Sequence, residues 1–448
     1  MTRRIAALAA TLTVAGVAAG AATAGSGGTG PPVPDPAGVY SLPPGYSYTD
    51  LATPCVTPEV STESGLTFPM PEDPDGKALF KGPHGQTWLI VHHELTQPRA
   101  GDFQGDAGKC FVPEQTPGDT DSDGYGSISR LTLAKDGVTV TQAELITTGL
   151  HDLCASAITP WKTYLTNEEF PFIVDPPKPP DGEQGSGWVW EVDPATGAQK
   201  KLIGMGRFSH EQEAYAGGSW YLTDDRGDAR FIYKFVPNNH RDLTTGALYG
   251  LAFSRATGTG IWVGPLNYKD PDADMRARGH QPAVAGFVKA EGMVATGSSN
   301  TLGGSAVYFS ESGAGADPGR VWRLDDLGNN GIVSGHVVVE GDWARLGRPD
   351  NIRFTDAGDL FIMEDHSSSD FGRGPTGNVN QTWVLPRHQE GSDNMILFAQ
   401  TADEATGPWF SFDNKLLYMS IQADPPRRSH IIAIDHPGNA GFNQPYDR

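Results

Sequence analysis

Acidic side chains recur where apolar, strand-like segments of this chain end. The segment Leu89–Val91 is followed by His92-His93-Glu94, and the segment Tyr164–Thr166 is followed by Asn167-Glu168-Glu169. Carboxylate oxygens are the ligands that hard cations such as Ca²⁺ prefer. If the strand ends converge in the folded protein, their side chains would form a binding site for metal ions.

The acids form one set because they follow, or lie just before, comparable apolar segments. The candidate metal ligands are Glu94, Glu168, Glu169, Glu211, Glu291, Asp350 and Glu364, and Asp224 and Glu311 stand in similar positions. Taken alone, each acid is more often a solvated strand end or turn residue. Two unit charges at about 4 Å repel by about 4 kcal/mol at an effective dielectric near 20. A converging set therefore requires cations, or protons on several carboxylates, and cation binding is the simpler outcome.

The chain has three cysteines, and one of them stands beside an acidic strand end. Cys55 and Cys110 lie in loop-like surroundings and could pair in an oxidising compartment. Cys154 is then left alone. It could be a buried free thiol, which is the usual role of an isolated Cys, or it could be a metal ligand.

The segments that carry the acids repeat along the chain. Alternating apolar and aromatic residues end in polar side chains at 89–94, 164–169, 221–225, 308–311, 361–365 and 418–422. Further short strands and tight turns flank each copy, in a period of about 55 residues that is typical of propeller blades. We predict an all-β fold, a six-bladed β-propeller with a metal cluster at one mouth of the central channel. A flat sandwich is the alternative, but it would not place an acid after the same strand in most repeats.

Composition and charge agree with this fold and exclude other classes. The 448 residues include 56 Gly and 35 Pro, as expected for many short strands and turns, and ten Trp supply core-forming side chains. The formal net charge of −21 argues against nucleic-acid binding, because phosphate backbones are bound by an excess of Lys and Arg. We find no nucleophile elbow, no zinc-protease motif and no phosphate-binding glycine loop.

The start of the chain is typical of an export signal. Arg3 and Arg4 precede an apolar, Ala-rich stretch that ends at Ala22-Thr23-Ala24, a small-residue cleavage pattern. Thr2-Arg3-Arg4 is similar to the start of a twin-arginine signal. We predict an export signal peptide at 1–24, a Gly/Pro-rich linker at 25–44 and a single β-propeller domain at 45–440. The mature protein is expected to be a secreted, extracellular monomer with no stable membrane span.

Several blocks of the chain, in this order, resemble the PhoX-type alkaline phosphatases. They include His92-His93-Glu94, Cys154, Leu165–Glu169, Gly206–Glu211, Tyr233–Pro237, Glu291-Gly292-Met293, Pro349-Asp350-Asn351, Thr406-Gly407-Pro408 and Ile421-Gln422, and the similarity runs from roughly Gly45 to Asp435.

The resemblance implies an exported six-bladed propeller that binds Ca²⁺ together with iron and hydrolyses phosphomonoesters to inorganic phosphate. Carried over by motif, Cys154 would be the thiolate ligand of iron. The implied carboxylate ligands are Glu94, Glu168, Glu169, Glu211, Glu291 and Asp350. The family usually has Arg-Pro-Glu where this chain has Lys289-Ala290-Glu291, so Lys289 is the expected catalytic residue, which offers phosphate a point charge where Arg would give two parallel hydrogen bonds.

Two other functions fit the same residues. One is a non-catalytic propeller that Ca²⁺ stabilises and that serves as a binding module. The other is a Ca²⁺-dependent lactonase or esterase, which requires one ion and no cysteine. Metal content separates them, since iron together with calcium is expected only for the phosphatase.

Overall fold

The structure is a computed structural model that describes residues 30–63, 65–95, 126–171, 185–296, 305–326, 331–366, 370, 373, 379–423, 427–437 and 441–443. The predicted signal peptide at 1–24, the start of the predicted linker and Cys110 lie outside the described residues. The proposed pairing of Cys55 with Cys110 therefore stays a prediction.

Almost all regular structure in the described residues is β-strand. The strands of the first half are β1 (Ser47–Ala52), β2 (Glu59–Ser61), β3 (Thr67–Pro69), β4 (Pro74–Lys81), β5 (Thr87–His93), β6 (Gly126–Leu133), β7 (Val140–Leu150), β8 (Leu153–Ile158), β9 (Tyr164–Glu168), β10 (Val189–Val192), β11 (Gln199–Lys201), β12 (His210–Ala216), β13 (Ser219–Asp224), β14 (Ala229–Arg230) and β15 (Tyr233–Asn239).

The second half continues in the same way. Its strands are β16 (Asp242–Ser254), β17 (Thr259–Val263), β18 (Phe287–Val288), β19 (Ala290–Ala295), β20 (Ser305–Glu311), β21 (Arg320–Asp326), β22 (Ile332–Glu340), β23 (Pro349–Phe354), β24 (Leu360–Glu364), β25 (Asn380–Leu385), β26 (Ile396–Thr401), β27 (Glu404–Phe410), β28 (Leu416–Gln422) and β29 (His430–Asp435). The helices are α1 (Pro271–Ala277) and α2 (Pro282–Ala285), with short 3₁₀ turns at Pro83–Gly85, Ile203–Met205, Ser392–Asn394 and Gly441–Asn443. No helix in the described ranges is long and apolar enough to cross a membrane.

The strands form antiparallel meanders that follow one another along the chain. Their spatial orders are β4-β5-β6-β7, β8-β9-β10-β11, β12-β13-β15-β16, β19-β20-β21-β22, β23-β24-β25-β26 and β27-β28-β29-β1. Strand β17 joins the third and fourth meanders into one sheet by pairing with β16 and β22. In the last meander β1, from the start of the domain, pairs antiparallel with β29 and places Ser47 opposite Asp435.

The first strands of the meanders surround a common axis. Strand β4 contacts β8, β8 contacts β12, β12 contacts β19, β19 contacts β23, β23 contacts β27, and β27 contacts β4. A flat sandwich has no such cycle of contacts between equivalent strands. The all-β prediction is confirmed, and the arrangement of the sheets is propeller-like.

Both faces of the sheets are buried, which explains why many strands are apolar along their whole length. In β24, Phe361 and Met363 pack into one core cluster, together with side chains of the last meander. Leu360 and Ile362, which point to the other face, pack into the cluster shared with the fourth meander. Because successive side chains of a strand point to opposite faces, each inner strand is held from both sides. Full burial of one such side chain contributes about 1.5–3 kcal/mol.

Candidate metal centre

Every first strand contains a β-bulge, and four of the candidate ligands, Cys154, Glu211, Glu291 and Asp350, lie in these bulges. In β4, Asp75 and Gly76 together oppose the single residue His92 of β5. The same two-against-one arrangement recurs at Cys154-Ala155 in β8, Glu211-Gln212 in β12, Glu291-Gly292 in β19, Asp350-Asn351 in β23 and Gly407-Pro408 in β27. A bulge bends its strand and turns a side chain out of the regular alternation. Here it brings the first residue of five bulges to a shared cavity.

A second set of acids comes from the residues directly after the second strands. Glu94, Glu169, Asp225 and Asp365 follow β5, β9, β13 and β24. The N–H of each donates to a carbonyl two residues before the neighbouring bulge. These hydrogen bonds are Glu94 to Asp73 at 2.8 Å, Glu169 to Asp152 at 3.0 Å, Asp225 to Ser209 at 2.9 Å and Asp365 to Arg348 at 3.0 Å. Each acid is therefore fixed to the bulge beside which it lies.

The two sets meet in a cavity of about 660 Å³. The carboxylates that line it are Asp73, Asp75, Glu94, Asp152, Glu169, Glu211, Asp225, Glu291, Asp350, Asp365, Asp403 and Glu404. The lining in the described residues includes only two side chains with a permanent positive charge, Lys289 and Arg427. The cavity is therefore strongly anionic.

Three groups of side chains bring their ligand atoms within 4.8 Å of one another. They are Asp75 with Glu94 and Cys154, Glu94 with Asp152 and Glu169, and Glu211 with Asp225 and Glu291. The first group joins two carboxylates to a thiol, and the others consist of carboxylates alone. Carboxylates suit Ca²⁺, whereas a thiolate suits a softer transition metal.

Two buried carboxylate oxygens also indicate that these side chains can bind cations. Asp75 Oδ1 and Asp225 Oδ1 are buried and accept no hydrogen bond from the described residues. Buried carboxylate oxygens without a partner are costly. A metal ion would satisfy both oxygens.

Burial and mutual repulsion shift the pKa values of these groups. Burial, followed by the charge of Asp152, raises the pKa of Glu94 to about 8. Burial and nearby carboxylates also raise the pKa of Glu169, Glu211 and Asp350 well above its usual range. In the protein without metal, several of these carboxyl groups would therefore hold protons near neutral pH.

The thiol of Cys154 is buried and free, and its Sγ lies 3.5 Å from Glu169 Oε2. Burial, with the charges of Glu211 and Glu94, raises the pKa of this thiol well above its usual range. A bound cation would reverse this effect because it stabilises the thiolate.

Side chains opposite three of the bulges hold the carbonyl of the next bulge. His92 Nδ1 lies 2.8 Å from the carbonyl oxygen of Cys154, and Asn167 Nδ2 lies 2.7 Å from that of Glu211. Ser310 Oγ donates to the carbonyl of Asp350. Burial lowers the pKa of His92 to about 4, so the ring is neutral and Nδ1 donates. The bulges at Cys154, Glu211 and Asp350 are thus tied to the meander before them.

Lys289, the predicted catalytic residue, lines the cavity at its acidic wall. Its Nζ lies 2.9 Å from Glu291 Oε1 and 3.7 Å from Asp225 Oδ2. The charge of Glu291 raises the pKa of Lys289, so the side chain stays protonated. Its backbone is left-handed, with φ at 51°, and its side chain is about one third exposed.

Most of the predicted metal ligands meet at this site. Cys154, Glu94, Glu169, Glu211, Glu291 and Asp350 all line the cavity. Glu168 does not: its Oε1 and Oε2 accept backbone N–H groups of His151 and Trp188, both at 3.2 Å. Burial raises the pKa of Glu168 to about 7.

Three further acids named from the sequence also lie outside the cavity. Glu364 accepts from the N–H groups of Gly347 and Gln381, both at 2.9 Å. Glu311 pairs with Arg255 and Arg320. Asp224 ends β13 and is buried. Glu311 and Glu364 hold neighbouring segments together, while Asp225 and Asp365, which follow Asp224 and Glu364, line the cavity.

Sequence reasoning missed several acids of the cavity, among them Asp75, Asp152, Asp225, Asp365 and Glu404. A signal existed for two of them. Asp225 and Asp365 directly follow Asp224 and Glu364, as Glu169 follows Glu168. Since side chains alternate along a strand, only one acid of each pair can face the axis. Asp75 is the second residue of β4 and Asp152 lies between β7 and β8, and their sequence neighbourhood gave no comparable signal.

A family model described as alkaline phosphatase PhoX matches residues 141–425 of the chain. No curated protein sequence matches the chain significantly.

The structure of Pseudomonas fluorescens PhoX in complex with vanadate, a transition state analogue, is similar with a TM-score of 0.67 and 18% sequence identity, over 93% of this chain and 98% of that one. At this identity the likeness shows the fold. A gluconolactonase from Xanthomonas campestris matches with a TM-score of 0.38 and 10% identity, over 85% and 97% of the two chains. A protein of unknown function from Dyadobacter fermentans matches with a TM-score of 0.47 and 12% identity, over 88% and 100%.

Proposed function

Because the chain belongs to the alkaline phosphatase PhoX family, we propose that it is an exported, metal-dependent phosphatase that hydrolyses phosphomonoesters and releases inorganic phosphate. One observation carries the proposal. Cys154 and five acids predicted from the sequence line a single cavity, although they come from different meanders.

The cavity residues divide into two kinds of metal ligand. Cys154, with Asp75 and Glu94 beside it, would hold iron. The groups made only of carboxylates would hold Ca²⁺. Bound cations would supply positive charge for the phosphoryl oxygens and for the leaving oxygen.

We propose that residues of the chain bind the substrate and position the metal ligands. Lys289 carries a lasting positive charge beside Glu291, and its ammonium group can donate a hydrogen bond to a phosphoryl oxygen. A charge-assisted hydrogen bond of this kind stabilises a dianionic ester more than a hydrogen bond from a neutral donor would. The bulges and the N–H groups that fix Glu94, Glu169, Asp225 and Asp365 keep the ligands in place before substrate binds. Such positioning lowers the reorganisation that the reaction requires.

We further propose that the six meanders are six blades of one propeller. The cycle of contacts between their first strands supports that count, and the pairing of β1 with β29 supports one domain over 45–440. The signal peptide predicted at 1–24 is the basis for proposing export, with the twin-arginine route as the proposed one.

Metal analysis of the purified protein, combined with an assay on p-nitrophenyl phosphate, tests this function. We expect calcium and iron in the protein and release of phosphate that stops when a chelator removes the metals. Calcium without iron and no hydrolysis would instead favour the binding module or the lactonase. If the protein bound neither ion after incubation with both, all three functions would be contradicted.

A further inference from the structure

The cavity has one large apolar side chain among its described lining residues, and that side chain is Phe170. It follows Glu169 directly, and 48% of its surface is exposed. Other exposed apolar side chains, such as Val284 and Phe412, do not line the cavity. Scattered apolar residues on a surface need no explanation, but a ring at the mouth of an anionic cavity does.

The backbone that carries Phe170 is held on both sides. The N–H of Glu169 donates to the carbonyl of Asp152 at 3.0 Å. The hydroxyl of Ser186 donates to the carbonyl of Phe170, and Arg207 Nε donates to the carbonyl of Ser186 at 2.8 Å.

A glycine packs against Pro171, the residue that follows Phe170. Gly187 has a φ of 91°, and a Cβ built there would lie 2.5 Å from Cβ of Pro171. Only glycine allows this close approach. The ring is therefore presented to the cavity from a fixed backbone, so the main chain needs little ordering when a ligand packs on the ring.

We propose that Phe170 forms a subsite for the leaving group, and that it favours phosphomonoesters whose leaving group is a planar aromatic ring. The proposal rests on the phosphatase function proposed above. The phosphoryl group would lie among the carboxylates and Lys289, and the leaving group would extend toward the mouth, where Phe170 offers the apolar contact surface. Aromatic rings pair face to face with an offset or edge to face, and both arrangements are open to a half-exposed ring.

The test uses two inhibitors, phenylphosphonate and methylphosphonate, which differ only in the group on phosphorus, a phenyl ring or a methyl group. In the metal-loaded full-length protein, Phe170→Ala should weaken inhibition by phenylphosphonate roughly three- to tenfold relative to methylphosphonate. Phe170→Trp should restore the preference. Phe412→Ala, which removes a ring of similar exposure (52%) outside the cavity, should leave it unchanged. Circular dichroism and metal content should match the wild type in every variant.

The outcomes separate this subsite from the function on which it rests. If the wild type hydrolyses p-nitrophenyl phosphate but Phe170→Ala weakens both phosphonates equally, or neither, the subsite is wrong and the phosphatase stands. If the loaded wild type hydrolyses no ester and binds neither phosphonate, both proposals are wrong. A selective loss for phenylphosphonate that Trp restores supports both.

Discussion

Glu168 and Glu169 are adjacent in the chain but take opposite roles. Glu169 lines the cavity within 4.8 Å of Glu94 and Asp152. Glu168 points the other way and accepts the N–H groups of His151 and Trp188. The alternation of side chains at the end of β9 separates a candidate metal ligand from a structural acid.

This pair makes a direct test of the site. Glu169→Gln should lower bound calcium and reduce phosphatase activity by about 100-fold or more, because the amide is a weaker ligand than the carboxylate. Glu168→Gln should retain its metals but lower the free energy of unfolding by about 1–3 kcal/mol, because an amide NH₂ would face a backbone N–H donor. Metal analysis and denaturant unfolding measure the two effects. Asp393→Asn is the control, since that side chain is 92% exposed. Equal metal loss in both Glu variants would contradict the assignment.

Cys154→Ser should remove iron and leave calcium largely in place. A serine hydroxyl is a hard, protonated donor, whereas the thiolate selects a softer metal. We expect the iron content to fall by about tenfold or more and hydrolysis of p-nitrophenyl phosphate to fall with it. Elemental analysis with an absorption spectrum of the purified variant measures the loss. Full iron content in this variant would reject the thiolate ligand.

Lys289 should contribute through its charge. Lys289→Met removes the ammonium beside Glu291, and we expect kcat/KM to fall by about 10- to 100-fold, the worth of a hydrogen bond to a charged group. Lys289→Arg keeps the charge and should retain activity within about tenfold. Steady-state kinetics separate KM from kcat. If the Met variant were as active as wild type, Lys289 would be an ion-pair partner of Glu291 and no more.

The protein without metal should lose stability as the pH rises. In the native state the pKa of Glu94 is raised to about 8 from an ordinary value of 4.5. The native state therefore binds more protons than the unfolded state between these values, and the free energy of unfolding falls with pH. The contribution is fully present below about pH 4.5 and is lost as the pH rises through about 8. Thermal unfolding in a chelator, from pH 5 to pH 9, should show the decline.

Calcium should suppress this decline, because the cation takes the place of the protons. The same pH series with calcium is the control. A chelated protein whose melting temperature rises from pH 5 to pH 9 would contradict a repulsive, cation-requiring cluster.

Gly407 occupies the bulge position that an acid or Cys154 holds in the other first strands. Its φ is 58°, and a Cβ there would lie 2.2 Å from the carbonyl oxygen of Asp75. We expect Gly407→Ala to destabilise the fold by about 2 kcal/mol or more and to weaken metal binding by displacing Asp75. Gly38→Ala is the matched control, since Gly38 has a φ of 74° and nothing within 4 Å of its Cβ. If the two variants unfold alike, the close approach to Asp75 has no consequence.

The strands and many of the ligands could be predicted from sequence because their causes are local. Apolar alternation predicts a strand, and a polar residue after it marks the strand end. The apolar segment 361–363, followed by Glu364 and Asp365, shows both features. The repeat of that pattern was enough to indicate equivalent strands around one axis.

The face of the sheet to which each side chain points could not be predicted in the same way. It depends on where a strand ends and where a bulge occurs. A shift of one residue moves a side chain to the opposite face. Glu168, Glu311 and Glu364 are the last residues of their strands, and their partners are backbone N–H groups of other segments or, for Glu311, arginine side chains. The bulge at Asp75-Gly76 has no hydrophobic signature, so Asp75 was missed.

Strand β1, the first of the domain, completes its sheet only by pairing with β29, which ends at Asp435. During synthesis, β1 therefore leaves the ribosome long before its partner exists, and the ring cannot close until β29 has been made. A contact between residues so far apart in sequence is slow to form, since the loop between them must first be closed. Ribosome-bound chains that stop before β29 should accordingly be sensitive to protease, and metal uptake should begin only after β29 has been translated.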